Sequence, residues 1–366
     1  MRWWWAVLCC GLHASMAVAQ SPAPVRPPTA SLRELVDVPT LHVDGRPRAV
    51  TAYLGESIDA GRARSLAGAG VDFTAFVVNG QLSSLDERLG ALVEAAPRTL
   101  VLLRVPQPPP PFREESAATL RRIIRHVLAQ PYAGNVVGYQ LDVATPSENA
   151  RREPAMTTAY RRWLARRYGN DVGRLRKAWN LDRATFESVV LPRPDETRAV
   201  PTALLDPARH QALLDAALFE AELESEAREN LARVVREETR GRAFSIVSYG
   251  AMLATPDKRQ LALGRLLRSP HVDLVGAPGP VTFARAGSGV SVHAGPARSV
   301  ALARKLWWTA NLGPQPAGVA LRDLGLRLAT GAAGFWLGTR GVELDPKVLA
   351  RVNALEERAV HADRRS

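Results

Sequence analysis

Cysteine is almost missing from this chain of 366 residues: there are two, Cys9 and Cys10, both within the first ten positions. That opening stretch has the form of a secretory leader. Arg2 supplies the charged start, Trp3 to Met16 the apolar run, and Ala17-Val18-Ala19 an A-x-A cleavage site before Gln20. Residues 1–19 are therefore expected to leave as a signal peptide, taking both thiols with them, and the mature chain is expected to be periplasmic or secreted. A chain without thiols has no thiolate metal site, no thiol nucleophile and no disulfide.

Lysine is scarce as well, four of the 48 basic residues being Lys177, Lys258, Lys305 and Lys347. The arginines are scattered through helical stretches rather than gathered in a block with aromatics. The net charge of +12 is thus read as arginine usage in an Ala/Arg-rich background, and no nucleic-acid partner is expected. No second run of about twenty apolar residues occurs, so no stable membrane insertion is expected after the leader. His42, His126, His210, His271, His293 and His361 show no H-x-x-x-H or comparable spacing. Neither a metal nor a cofactor is expected, and only oxygen and nitrogen chemistry remains.

What the chain does have is 46% hydrophobic residues, enough for a large core. Residues 20–40 read as a Pro-rich linker and 41–366 as one domain. In that domain β-rich runs alternate with amphipathic segments. Eight strands are expected: Arg48–Leu54, Asp72–Val78, Thr99–Val105, Val136–Asp142, Ala243–Tyr249, Val272–Gly276, Leu306–Ala310 and Gly334–Leu337. Between them, Ser116–Leu128 carries Leu120, Ile123, Ile124 and Val127 at helical spacing, and Asp206-Pro207 opens the longest helix, which Gly241 stops. Eight such units predict an α/β fold, a (β/α)8 TIM barrel with an expanded excursion after the fourth strand, Glu148 to Leu205. The rival, an open doubly wound sheet, lacks any G-x-G-x-x-G or P-loop after a strand.

Barrel chemistry sits where strands end. Those positions hold Tyr53 and Glu56 after the first strand, Arg104 at the third, and Gln140, Asp142 and Glu148 at the fourth. Tyr249 follows at the fifth, Trp308, Ala310 and Asn311 at the seventh, and Trp336 and Arg340 at the eighth. Aromatics, amides and charges on one rim suit a carbohydrate, whose C–H faces stack on rings while its hydroxyls need hydrogen-bond partners. Tyr249, Trp307 and Trp336 can equally fill the barrel interior.

The run G-Y-Q-L-D-V-A-T-P-S-E (Gly138 to Glu148), then Y-R-R-W-L-A-R-R-Y-G-N (Tyr160 to Asn170) and L-R-K-A-W-N (Leu175 to Asn180), resembles glycoside hydrolase family 42, the β-galactosidase-like barrels. Ser248-Tyr249-Gly250, Leu267 to Asp273, Ala297 to Trp308 and Gly334-Phe335-Trp336 extend the likeness from about Leu41 to the final helix. The resemblance implies a retaining glycosidase, with an acid/base carboxylate after strand four and a nucleophilic carboxylate ending strand seven, about 5 to 5.5 Å apart. It puts Glu148 in the acid/base role; aligned instead to the pattern Q-x-D-N-E, Val143 and Ala144 stand where Asn and Glu belong. At strand seven the relatives' K-L-W-x-x-E becomes Lys305-Leu306-Trp307-Trp308-Thr309-Ala310, so Ala310 occupies the nucleophile position and Asn311 follows it.

Without that carboxylate there is neither a covalent intermediate nor the negative charge that offsets an oxocarbenium-like transition state. Glu56, Asp142, Glu343 and Asp345 are candidate substitutes, none at a matching position. Two expectations follow: an exported glycosidase on galactoside-type or related polysaccharides through Glu148, or a silent carbohydrate-binding barrel. A structural envelope protein using its basic surface is the third. The site expected for a sugar comprises Tyr53, Arg104, Gln140, Asp142, Tyr249, Trp308, Asn311 and Trp336, in a monomer.

Overall fold

The computed structural model describes residues 27–35, 38–48, 50–54, 59–78, 81–107, 113–143, 151–192, 206–248, 262–277, 299–310, 333–337, 350–351 and 354. A small antiparallel sheet comes first: β1 (Ala30–Leu35), β2 (Val38–Val43) and β3 (Arg46–Arg48). Then come β4 (Val50–Leu54), β5 (Phe73–Val77), β6 (Leu100–Gln107), β7 (Val136–Val143), β8 (Phe244–Ser248), β9 (Leu274–Ala277), β10 (Leu306–Ala310) and β11 (Gly334–Leu337). Each of these pairs in parallel with the next, and β11 pairs back onto β4, so the ladders close. Their bounds fall within two residues of the eight expected from the sequence. Helices α1 (Ala60–Gly68), α2 (Leu82–Ala95) and α3 (Arg113–Leu128) follow β4, β5 and β6. After β7 come α4 (Pro154–Arg167), α5 (Val172–Trp179) and α6 (Pro207–Glu238), and after β8 comes α7 (Leu263–Arg268). The stretches 278–298 and 311–332 lie outside the described residues, so the alternation of strand and helix is described through the fifth strand of the ring.

Strand alternation sorts the core into two layers, because successive side chains point to opposite faces. Ala52, Phe73, Ala75, Leu102, Phe244, Ile246, Leu274, Leu306 and Trp308 fill the interior of the ring. Leu103, Val105, Tyr139, Leu141, Val247, Val275 and Trp307 point outward and pack under the helices. Ala30, Leu41 and Val43 join the interior cluster from the small sheet, which floors the ring at the N-terminal ends of its strands. The Ala30 amide donates to the Arg242 carbonyl at 2.6 Å, just before β8, and Arg48 pairs with Asp72 at 2.8 Å, just before β5. Within the 20–40 segment expected as a linker lie β1 and part of β2. The six-residue run A-S-L-R-E-L alternates weakly, and only the open end of the ring gives its apolar side something to cover.

Gly138 pairs with Phe244, and a Cβ placed on it would stand 2.8 Å from two atoms of that ring. Phe244 occupies the volume that glycine leaves free. Gly138→Ala should therefore lower stability by about 1–3 kcal/mol in urea unfolding through overpacking. Phe244→Leu in the same chain should recover part of that loss; a double variant no better than the sum of the singles refutes the clash.

Two charges lie near the floor, Lys305 buried and Asp273 half-buried. Lys305 donates its Nζ to the carbonyls of Ser269, at 2.6 Å, and Val272, and burial pulls its pKa below the ordinary lysine value. Asp273 accepts from the Ser245 amide at 2.9 Å and from its hydroxyl at 3.3 Å; desolvation still raises its pKa. A folded-state pKa above the unfolded one means that the native chain binds the proton more tightly. The associated stability is complete below the unfolded value near 3.8 and is lost as pH rises through the folded value. Relative to Asp273→Asn, the wild-type protein should thus lose stability as pH rises from about 4. Urea titrations of both proteins across that range check the sign; parallel curves refute it.

Helices α4 and α5 are held to α6 by a core of their own, Met156, Tyr160, Trp163, Leu164 and Leu175 packing on Ala216, Phe219 and Leu223. Asp215 of α6 is fully buried there and accepts from Arg167 Nε at 3.0 Å, Tyr168 Oη at 2.6 Å, Trp179 Nε1 at 2.8 Å and Gln211 Nε2 at 2.9 Å. Four donors make a buried carboxylate tolerable and fix α4 and α5 against α6. The expected cap is present, since Asp206 accepts from the Ala208 amide at 2.9 Å. Helix α6 has 32 residues, roughly 48 Å at 1.5 Å per residue. The eight residues of β7 span only about 26 Å, so the N-terminal half of α6 carries the excursion past the strand ends.

Candidate functional site

The ladder register brings Val77, Arg104, Gln140 and Ile246 to one level of the ring. One inward step toward the C-terminal end stand Asp142 on β7 and Ser248, the last residue of β8. Gln140 and Asp142 continue the inward face begun by Gly138, and Ser248 continues the face of Phe244 and Ile246. Apolar interior therefore gives way to polar side chains where the strands end.

These side chains form one network. Asp142 Oδ2 accepts from Arg104 Nε; Asp142 Oδ1 accepts from Gln140 Nε2 at 2.9 Å and from the Ser248 hydroxyl. The same Gln140 amide nitrogen reaches Ser248 Oγ at 3.3 Å. The carboxylate only accepts, so the Gln140 NH2 must face it and Oε1 must be at the other end of the amide. That oxygen is buried and has no partner among the described residues, although Gln140 is only 6% exposed. The Arg104 side chain is 37% exposed and that of Asp142 18%. Among the described residues the guanidinium thus spends Nε on Asp142 and has no partner for its two Nη groups.

Arg104, Gln140 and Asp142 are three of the residues expected for a sugar, and the structure brings them together. Ser248 was not among them. Its signal was the two-residue alternation from Phe244, which ends on it at the strand terminus. Tyr53 is elsewhere: it packs against the outer core, with the Arg62 guanidinium 5.1 Å from its ring centroid. Tyr53 therefore faces α1 and not the mouth, because its neighbour Ala52 takes the inward position. Trp308 does point inward but is 0% exposed in the interior cluster, a core residue below the rim. Ala310 ends β10 and pairs in register with Trp336 of β11, which pairs with Ala52. Glu148, Tyr249 and Asn311 lie outside the described residues, as do Glu56, Arg340, Glu343 and Asp345.

Among the described residues no group of three or more His, Asp or Glu could hold a metal, and no helix is long and apolar enough to cross a membrane. Chemically, the cluster offers a half-exposed guanidinium edge and a buried amide oxygen around a carboxylate already engaged by three donors. It can bind and orient a polyol or an anion.

No protein-family model matches the chain, and no curated protein matches it. Solved structures do. The catalytic domain of β-amylase from Paenibacillus polymyxa superposes with a TM-score of 0.57 at 10% identity, covering 84% of this chain and 98% of that one. An exo-β-agarase gives 0.49 at 11% identity, over 82% of this chain and 46% of its own. β-Mannanase from the blue mussel Mytilus edulis gives 0.47 at 8%, over 92% and 97%. At 10% identity the likeness to β-amylase is one of fold: this chain is an α/β protein of the TIM-barrel kind, with a curled parallel sheet under helices.

Asp142→Asn replaces an acceptor oxygen by an NH2 that opposes the Arg104 or Gln140 donors. It should cost about 1–3 kcal/mol, read as a lowered urea midpoint with an unchanged slope. No change in midpoint would mean that the network does not tie the strand ends.

Proposed function

We propose that this chain is an exported carbohydrate-binding barrel related to glycoside hydrolase family 42, a (β/α)8 barrel with an expanded excursion after its fourth strand. It works as a monomer on galactoside-type or related polysaccharides without retaining hydrolysis. The observation that carries this reading is the end of the seventh strand of the ring, where Ala310 stands in register with Trp336. A retaining glycosidase needs a carboxylate there, both as nucleophile and as the charge that offsets the oxocarbenium-like transition state; a methyl group does neither. Asp142 is not free to replace it, since both of its oxygens already accept from Arg104, Gln140 and Ser248. The polar cluster at the strand ends keeps the hydrogen-bonding capacity that sugar hydroxyls require. In this reading Tyr249, Asn311 and Trp336 are the further sugar-binding residues that the sequence likeness implies.

A second reading, hydrolysis with Glu148 as general acid, rests on the G-Y-Q-L-D resemblance. The mature protein, residues 20–366, should release no aglycone from a panel of aryl β-galactosides and related aryl glycosides. In calorimetry it should give saturable heat with oligosaccharides, weakened about tenfold by Trp336→Ala or Tyr249→Ala. Turnover that Glu148→Gln abolishes would replace the binding reading by the hydrolase; absence of binding to any oligosaccharide would end both.

A further inference from the structure

The two unengaged edges of the cluster have different chemistries, and together they select a ligand. Arg104 is held by Asp142 through Nε alone, on a side chain 37% exposed. Its paired Nη groups form a fork that matches the two oxygens of a carboxylate. Gln140 is 94% buried by contrast, and its Oε1 has no donor. Its orientation is fixed, because turning the amide over would set that oxygen against the Asp142 carboxylate. An unpartnered buried acceptor is destabilising unless a ligand supplies a donor. The two residues are paired neighbours on adjacent strands. A neutral sugar satisfies Gln140 with a hydroxyl but leaves the arginine fork facing water. A simple carboxylate does the reverse.

We infer that the barrel mouth is selective for an acidic sugar, a uronate whose carboxylate sits on the Arg104 fork while a ring hydroxyl donates to Gln140 Oε1. This rests on the reading of the strand ends as a carbohydrate site and goes further by naming the charge of the residue bound there. The Asp142 carboxylate does not cancel the preference. It lies on the Nε side of the guanidinium and is itself covered by Gln140 and Ser248. Arg104 thus serves as the specificity-determining residue, with Asp142 and Ser248 as its positioning residues.

The mature protein should be titrated calorimetrically with trigalacturonate and with neutral galactotriose, at low and at high salt. The acidic trimer is expected to bind at least tenfold more tightly at low salt, with the ratio shrinking as salt screens the ion pair. Arg104→Gln should bring the two ligands level, Arg104→Lys should keep part of the preference, and Gln140→Leu should weaken both ligands. Circular dichroism checks that each variant is folded, and the wild-type ratio decides the question even if a variant is not. Equal or tighter binding of galactotriose by the wild-type protein overturns the selectivity and leaves the carbohydrate site standing. If neither trimer binds, both fall.

Discussion

Asp142 receives Arg104 from the strand before it, Gln140 from its own strand and Ser248 from the strand after it. Three neighbouring strands of the ring are thereby tied at their C-terminal ends by one carboxylate. Interior apolar packing, to which Trp308 belongs, cannot do this where the inward-facing side chains turn polar. A hydrogen-bonded charge can, because its donors are drawn from different strands and its geometry tolerates little displacement. The network also orients the rest of the mouth. It fixes which end of the Gln140 amide is free and which edge of the Arg104 guanidinium is free, and those two edges define what the mouth can accept.

The same device recurs wherever apolar contact runs out. Asp215 gathers three donors from α4, α5 and the turn between them, and a fourth, Gln211, from α6 itself. At the floor, Lys305 donates to two carbonyls while Asp273 holds the Ser245 amide and hydroxyl. Each is a largely desolvated charge whose hydrogen bonds offset part of that cost and tie it to segments other than its own. The burial-driven shifts of Asp273 and Lys305 show that the offset there is incomplete. Such groups are poor sources of net stability but specific ones: a misregistered strand would leave a carboxylate or an ammonium unpaired.

The ring was legible in the sequence because period-two alternation and short apolar runs are local properties. Phe244-Ser245-Ile246-Val247-Ser248 reads as a strand in isolation and is one. The α6 helix was legible for the same reason, through Asp206 and Pro207 at its start. The floor was not. A-S-L-R-E-L becomes a strand only because the open bottom of a ring, assembled from residues hundreds of positions away, covers its apolar side. The site was half legible. Position at a strand end singled out Arg104, Gln140 and Asp142, but inward or outward orientation depends on parity. A one-residue difference sends Tyr53 to the outer layer and keeps its neighbour Ala52 inside. Ser248 carries no chemical signature by itself, and only its contact with Asp142 makes it part of the network.

Parity and charge together bear on what the strand ends can stabilise. A retaining barrel stabilises a cationic transition state, so it needs uncompensated negative charge near the anomeric carbon. Here Ala310 supplies none, and Asp142 spends its charge on Arg104 while sharing its oxygens with two further donors. What remains unspent is a guanidinium edge, which would oppose an oxocarbenium ion and stabilise a bound anion. Ground-state affinity for a negatively charged sugar and stabilisation of a positively charged transition state pull the electrostatics of one rim in opposite directions. In the proposed reading, Ala310 at the end of β10 supplies no charge for the second task, and Arg104 on β6 serves the first.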